Sequence, residues 1–336
     1  MNLKAVWGLL QETFSEWNKD KASRLAAALA YYTVFSLAPL LLIVIAIAGS
    51  VFGEEAARGE IVKQIQGLVG QDGAEFIETA IENASKPTAG TIASIISLIA
   101  LLFGASGVFA ELQDALNTVW EVQLKPERGL LNIIRNRFLS FTMVLGVGFL
   151  LLVSLVVTAT LSVLVNFVGN ALPGIDALWQ LVNFILSFVV TTLLFGLIYK
   201  VLPDVKIAWS DVWIGAAITS LLFSIGRFLL GQYLGNNSFG STYGAAGSLV
   251  VILAWVYYAA QILFFGAEFT QVYARRYGSQ IVPAKNAVPL TDEARAEQGL
   301  KPNESSGNKP ASPKSSDRLF RRFIRSKQSQ RRRNNR

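Results

Sequence analysis

The chain has 336 residues, 52% apolar and only 16% charged, with a mean hydropathy of +0.43 and a formal charge of +7. It contains no His and no Cys. That excludes histidine metal ligands, Ser-His catalysis, an imidazole pH switch, disulfides and thiolate sites.

Residues 1–24 form a cytoplasmic amphipathic segment. Leu3, Val6, Leu10, Phe14 and Trp17 recur at helical steps, which suits either an interfacial helix on the membrane or a cap packed under a bundle. The acids in this segment do not fit a cleavable signal peptide.

From Leu25 onward, charge-free windows repeatedly reach or exceed the ~20 residues needed to cross a ~30 Å hydrocarbon layer. They predict six spans, about 32–52, 90–109, 141–167, 181–201, 212–230 and 248–269. The fold expected for residues 25–274 is an all-α bundle of six transmembrane helices. Between spans one and two, residues 54–89 carry two short apolar stripes around the break at Gly70 to Gly73, which predicts helices folded back over the bundle.

Lysine and arginine are distributed unevenly around these spans. One set of alternate loops and ends carries 26 of them and the other set only 3. By the positive-inside rule both termini lie in the cytoplasm.

Several polar residues interrupt the spans. In RLAAALAYYTVFSLAPLLL, Pro39 removes a backbone hydrogen bond and should kink the helix, leaving the Phe35 carbonyl to a partner such as Ser36 or a water. With Tyr32 and Ser36 beside it, span one is a candidate wall of a polar path; the alanines alongside suit close helix packing instead. In span six, Tyr258, Gln261, Phe265 and Glu268 share one helical face, and an acid there marks a functional site or a hydrated interfacial group. Arg24, Glu111 and Glu268 fall at one depth, so Arg24 is expected to pair with one of the acids. Glu111, Asp114 and Asn117 form a polar stripe leaving span two, read as a solvated face rather than a metal site. The glycine-rich loop 231–247, with Tyr243, would be the external mouth of a path.

Residues 275–336 hold 16 basic and 5 acidic residues in a Pro/Ser/Asn/Lys-rich stretch, expected to be a disordered cytoplasmic tail. Its end, with Phe320, Arg321, Arg322, Phe323 and Arg325, favours anionic lipid head groups over RNA.

Four stretches carry a family resemblance: DKASRLAAALAYYTVFSLAPLLL (20–42), FAELQDALNTVWEV (109–122), LPDVKIAWSDVWIGA (202–216) and YGAAGSLVVILAWVYYAAQILFFGAEF (243–269). The chain resembles the YihY/virulence factor BrkB family of bacterial inner-membrane proteins. The resemblance implies a polytopic protein of the cell inner membrane, in a family linked to resistance to host killing, envelope biogenesis and lipid export. Some members carry the label ribonuclease BN. Against that label, this sequence has no His, no Cys and no acidic cluster spaced for two metals.

Two functions remain open: movement of a lipid or small polar solute across the membrane, and a structural or assembly role in the envelope. No Walker sequence is present, so pumping would need an ion gradient or a partner. The protein is expected to be no enzyme and to use no cofactor and no metal. Membrane lipids and a homo-oligomer are the expected partners, and no nucleic acid is.

Overall fold

The computed structural model describes residues 3–85, 91–125, 176–235, 245–278 and 281–302. The chain divides into two units, Met1–Leu290 and Thr291–Arg336. Among the described residues of the first unit the helices are α1 (Leu3–Lys19), α2 (Ala22–Phe52), α3 (Glu54–Ser85), α4 (Thr91–Val119), α5 (Asp176–Val201), α6 (Trp209–Gly235) and α7 (Ala245–Tyr277). Four short strands, β1 (Val122–Leu124), β2 (Val205–Lys206), β3 (Val282–Pro283) and β4 (Ala287–Pro289), join them.

Four stretches among the described residues are long and apolar enough to cross a membrane: Ala22–Ser50, Phe184–Val201, Trp209–Leu230 and Gly247–Tyr277. They match the first, fourth, fifth and sixth expected spans. The second coincides with a portion of α4, and the third, 141–167, lies outside the described residues. The helices outrun the spans at several ends, because a helix leaving the apolar layer continues as an amphipathic one. α7 goes on to Arg275 and Arg276, which are exposed.

α3 is bent at Gly70, whose φ of 79° favours glycine. Arg58 reaches Glu82 at 2.8 Å and Glu78 at 3.6 Å, so the two halves fold back on each other. Their apolar stripes, including Val69, Ile77 and Ile81, pack with Leu41 and Ile45 of α2 and Val251 and Ile252 of α7. The expected fold-back over the bundle is therefore present.

Helices α6 and α7 are joined by a reciprocal seam. Each carries a glycine followed four residues later by a threonine, Gly215 with Thr219 and Gly266 with Thr270. Each glycine meets the other helix's threonine so closely that a β-carbon on either would collide with it. The threonines turn their hydroxyls back onto their own glycine carbonyls, at 2.7 Å for Thr219 and 2.6 Å for Thr270, so no polar group is left over. Small residues with internally satisfied hydroxyls let membrane helices approach closely. Tyr199 of α5 completes the seam, donating to the Leu263 carbonyl at 2.8 Å and lying 3.0 Å from Thr219 Oγ1.

The segment 281–290 corrects the expected boundary of the disordered tail. β3 pairs with β2 (Val205 with Pro283), and β4 pairs with β1 (Leu124 with Ala287), both antiparallel. Composition hid this strap because its stability comes from partners 80 to 160 residues away, roughly, rather than from its own apolar content. Asp204 fastens the strap. Its carboxylate accepts from Gln113 (3.1 Å) and Asn117 (2.9 Å) of α4 and from Asn286 (2.8 Å) of the strap. Its backbone N–H donates to Asn117 Oδ1 at 2.8 Å, and its carbonyl accepts from Ala284 N at 2.8 Å.

The second unit, by itself, opens with α8 (Asp292–Glu297), a further departure from the expected disorder. Thr291 caps α8 by accepting from Ala294 N at 3.2 Å, and two acids, Asp292 and Glu293, occupy the first turn. The lipid-surface residues Phe320, Arg321, Arg322, Phe323 and Arg325 lie outside the described residues.

α1 packs on α7 through Leu9, Phe269 and Val272, while Val6, Trp7 and Phe14 stay exposed. It caps the bundle with one face and leaves an apolar face free, so the two readings of its stripe are compatible. Arg275 holds Glu12 (2.9 Å) and Glu16 (3.2 Å), and Lys19 holds Glu16 at 3.0 Å. Burial raises the Glu16 carboxyl, but these cationic partners outweigh it and keep the group below its ordinary value of 4.5. A carboxyl depressed by folding stabilises the fold above its unfolded value and loses that contribution as pH falls through the folded one. We therefore expect α1 to loosen from α7 as the pH drops below 4.5. Hydrogen exchange over residues 3–19, corrected for intrinsic rate, measures this. Equal protection at pH 7 and pH 3.5 would exclude it.

Candidate functional site

The face of α7 opposite the α6 seam carries the buried polar groups. Gln261, Glu268 and Gln271 stand at i, i+7 and i+10, which brings them onto one side of the helix. Glu268 is wholly buried, at 0% exposure, and neither carboxyl oxygen has a hydrogen-bond partner. The side-chain oxygens of Gln261 and Gln271 are buried and partnerless as well. Buried polar groups in folded proteins are nearly always paired, so three on one face mark a site.

Two corners of the chain lead to this face. The turn from α1 into α2 carries Asp20 and Lys21; the turn from α4 into β1 carries Trp120 and Glu121. Lys21 (φ 53°) and Glu121 (φ 54°) are the non-glycine residues with left-handed backbone among those described. Such conformations cost energy and cluster where function needs a fixed geometry. The charges whose fields reach Glu268 are Asp20, Glu16, Glu121 and, with opposite sign, Arg275. Trp17 and Trp120 belong to the apolar cluster that also holds Phe264 and Ala267 of α7, and both indole N–H groups are buried and unpartnered. Two spare donors and a spare carboxyl thus lie within one three-helix junction of α1, α4 and α7.

The other expected site residues fall elsewhere. Ser36 is buried, but its hydroxyl donates to the Gly104 carbonyl of α4 at 2.6 Å rather than to Phe35. α2 is helical through Pro39, whose Cγ would stand 3.1 Å from a β-carbon at Gly104. Tyr32 is exposed on α2, close to Gly107. These three residues serve the α2–α4 contact. Arg24 is exposed on α2, and since both Glu268 oxygens lack a partner, Glu268, one of the two acids expected to pair with Arg24, does not do so. The cation whose field reaches Glu268 is Arg275, six residues beyond the expected end of span six. Glu111 is half-buried, and burial and then the charge of Asp114 raise its carboxyl above the ordinary value. Tyr243 and most of the glycine loop lie outside the described residues.

Sequence reasoning missed Asp20, Trp17, Trp120, Glu121 and Gln271. Gln271 was within reach, because it continues the Gln261–Glu268 stripe by three residues. The corner residues were not, because their meeting depends on how three helices cross. Among the described residues no group of three or more His, Cys, Asp or Glu is gathered tightly enough to hold a metal ion.

The family model described as Virulence factor BrkB matches residues 13–291, which takes in the whole junction and the strap. A UPF0761 membrane protein of Photobacterium profundum is 26% identical over 305 residues, covering 84% of this chain and 90% of that one. One from Teredinibacter turnerae is 25% identical over 291 residues, 83% of this chain and 64% of its own length. One from Pseudomonas aeruginosa is 28% identical over 253 residues, 74% of this chain and 58% of its own. The chain thus spans less than two thirds of the Teredinibacter and Pseudomonas relatives. No solved structure matches it.

Proposed function

Because the chain belongs to the virulence factor BrkB family and is a multi-pass helical membrane protein, we propose that it moves a small polar solute or lipid across the membrane. The single observation behind this reading is Glu268. An ionisable side chain inside an apolar helix bundle is a functional group by default, and this one is fully buried with no partner. A purely structural acid would be paired, since an unpaired buried polar group destabilises the fold. In this reading Glu268, Gln261 and Gln271 form an interior binding face, and the two strained corners hold it in place. The protein works as a carrier rather than an enzyme, in the bacterial inner membrane, with six spans and both termini cytoplasmic. The end of the tail, through Phe320, Phe323 and the arginines between and after them, rests on anionic lipid.

A second reading, a non-transporting assembly factor of the envelope, draws on the α2–α4 and α6–α7 seams, whose glycines and hydroxyls are already used in packing. Reconstitution separates the two. Proteoliposomes are assayed for scrambling of a fluorescent phospholipid and for flux of small polar solutes, with empty liposomes as the control. Transport is expected in one of these assays, and Glu268→Gln, nearly isosteric, should slow it about tenfold or more, the loss of roughly 1.4 kcal/mol of stabilisation, with unchanged melting. Wild-type protein that moves neither class of cargo would favour the assembly role.

A further inference from the structure

Between α5 and α6 lies a groove of about 600 Å³. That volume is on the scale of pockets that hold a drug-sized ligand. Its walls include Phe184 of α5 and Leu221 and Phe228 of α6, all three exposed. Two of the three hydroxyls along it are already engaged: Thr191 donates to the Ser187 carbonyl at 2.7 Å and Ser224 to the Ser220 carbonyl at 2.8 Å. At one end stands Arg227, exposed and without an ion pair among the described residues. The groove thus offers a long apolar trough with one cation at its end, unpaired among the described residues.

The depth of that cation follows from α6 itself. Trp209 and Trp213 at the start of the helix are exposed and stacked, 5.8 Å between ring centroids, as interfacial aromatics are. Arg227 comes 18 residues after Trp209; at ~1.5 Å per residue the separation is about 27 Å, close to the ~30 Å thickness of the hydrocarbon layer. Arg227 therefore reaches the head-group level of the leaflet opposite the tryptophans. From there the trough runs back along α6 to Leu221, about 9 Å into the hydrocarbon.

We propose that this groove is a binding site for an anionic phospholipid, with the acyl chain in the trough and the phosphate on the Arg227 guanidinium. A guanidinium presents a planar fork of donors that matches a phosphate. An apolar solute would leave that fork unused, and a free phosphate would leave the trough unfilled. Glu268, Gln261 and Gln271 do not line the groove, so its occupancy does not depend on the transport reading.

The test is native mass spectrometry of the full chain released from mixed micelles containing phosphatidylglycerol or phosphatidylcholine. Wild type should retain one phosphatidylglycerol in preference to phosphatidylcholine. Arg227→Ala should weaken that retention about tenfold or more, as expected for a lost charge-assisted hydrogen bond, while Arg227→Lys should keep most of it. Leu221→Trp, which fills the trough and leaves the charge, should lower retention of phosphatidylglycerol as well. Transport is read separately in the proteoliposome assay, and Arg227→Ala leaves the Glu268 face intact, so failure of the transport reading and failure of this site remain distinguishable. Equal retention of the two lipids by wild type, or unchanged retention in Arg227→Ala, would overturn the proposal. Retention lost in Arg227→Ala but kept in Leu221→Trp would also overturn it, by reducing the site to a surface charge.

Discussion

Replacing Gly266 by alanine is expected to cost about 3 kcal/mol or more and to prevent most of the protein from accumulating in folded form, beyond the usual cost of an extra methyl in a packed core. The added β-carbon would stand 2.6 Å from Tyr199 Oη and 2.9 Å from Thr219 Cβ, and closer still to Thr219 Oγ1. None of these can retreat cheaply. Tyr199 is tied to the Leu263 carbonyl and Thr219 to the Gly215 carbonyl, so relief would break a buried hydrogen bond or push α6 and α7 apart. Size-exclusion chromatography of detergent extracts and thermal melting measure the effect. Thr219→Gly in the same chain removes the side chain in the way and should recover some of the loss. An alanine variant that melts with wild type would show that the seam is looser than these distances imply.

The second large effect is expected at Asp204. Asp204→Ala removes the acceptor for three amide groups, two on α4 and one on the strap. Hydrogen bonds to a charged group contribute about 1.5–3 kcal/mol each, though not additively. Because the residue is only partly buried, we expect a total loss of about 2–4 kcal/mol. The loss should be local first. Hydrogen exchange over residues 281–290 should rise in step with that over 122–124, since both strand pairs hang on the turn that Asp204 holds. Asp204→Asn should fall between, because its amide would present N–H groups to the donors of either Asn286 or α4. Unchanged protection of the strap in Asp204→Ala would refute this account.

These two positions differ in how far the sequence reveals them. The long apolar helices are legible because burial in a bilayer leaves no room for charge, and the windows around α2, α5, α6 and α7 show it directly. Gly70 is legible too, as a break between two stripes. Asp204 is not. In LPDVK it looks like an ordinary turn acid, and its partners on α4 and the strap are 80 to 90 residues away, roughly, in either direction. The site is half legible for the same reason. The Gln261–Glu268 stripe follows from helical spacing alone, whereas Asp20, Glu121 and the two tryptophans arrive through tertiary crossings. Ser36 left both alternatives open, because a hydroxyl in an apolar helix reads the same whether it faces water or a neighbour's carbonyl; it makes the helix contact.

The strap also sets an order of events. β1 emerges from the ribosome about 160 residues before the strand that pairs with it, and β2 about 80 residues before its own. At ~5–20 residues per second, β1 waits roughly 8 to 30 s for its partner. During that interval α5, α6 and α7 are still being made, and the pairing edge of β1 and, once it is made, that of β2 stand open. The last piece of the family domain to be synthesised is thus the piece that locks two earlier ones together. A chain cut short before residue 281 would keep all four of the long apolar stretches and still lack its closing latch.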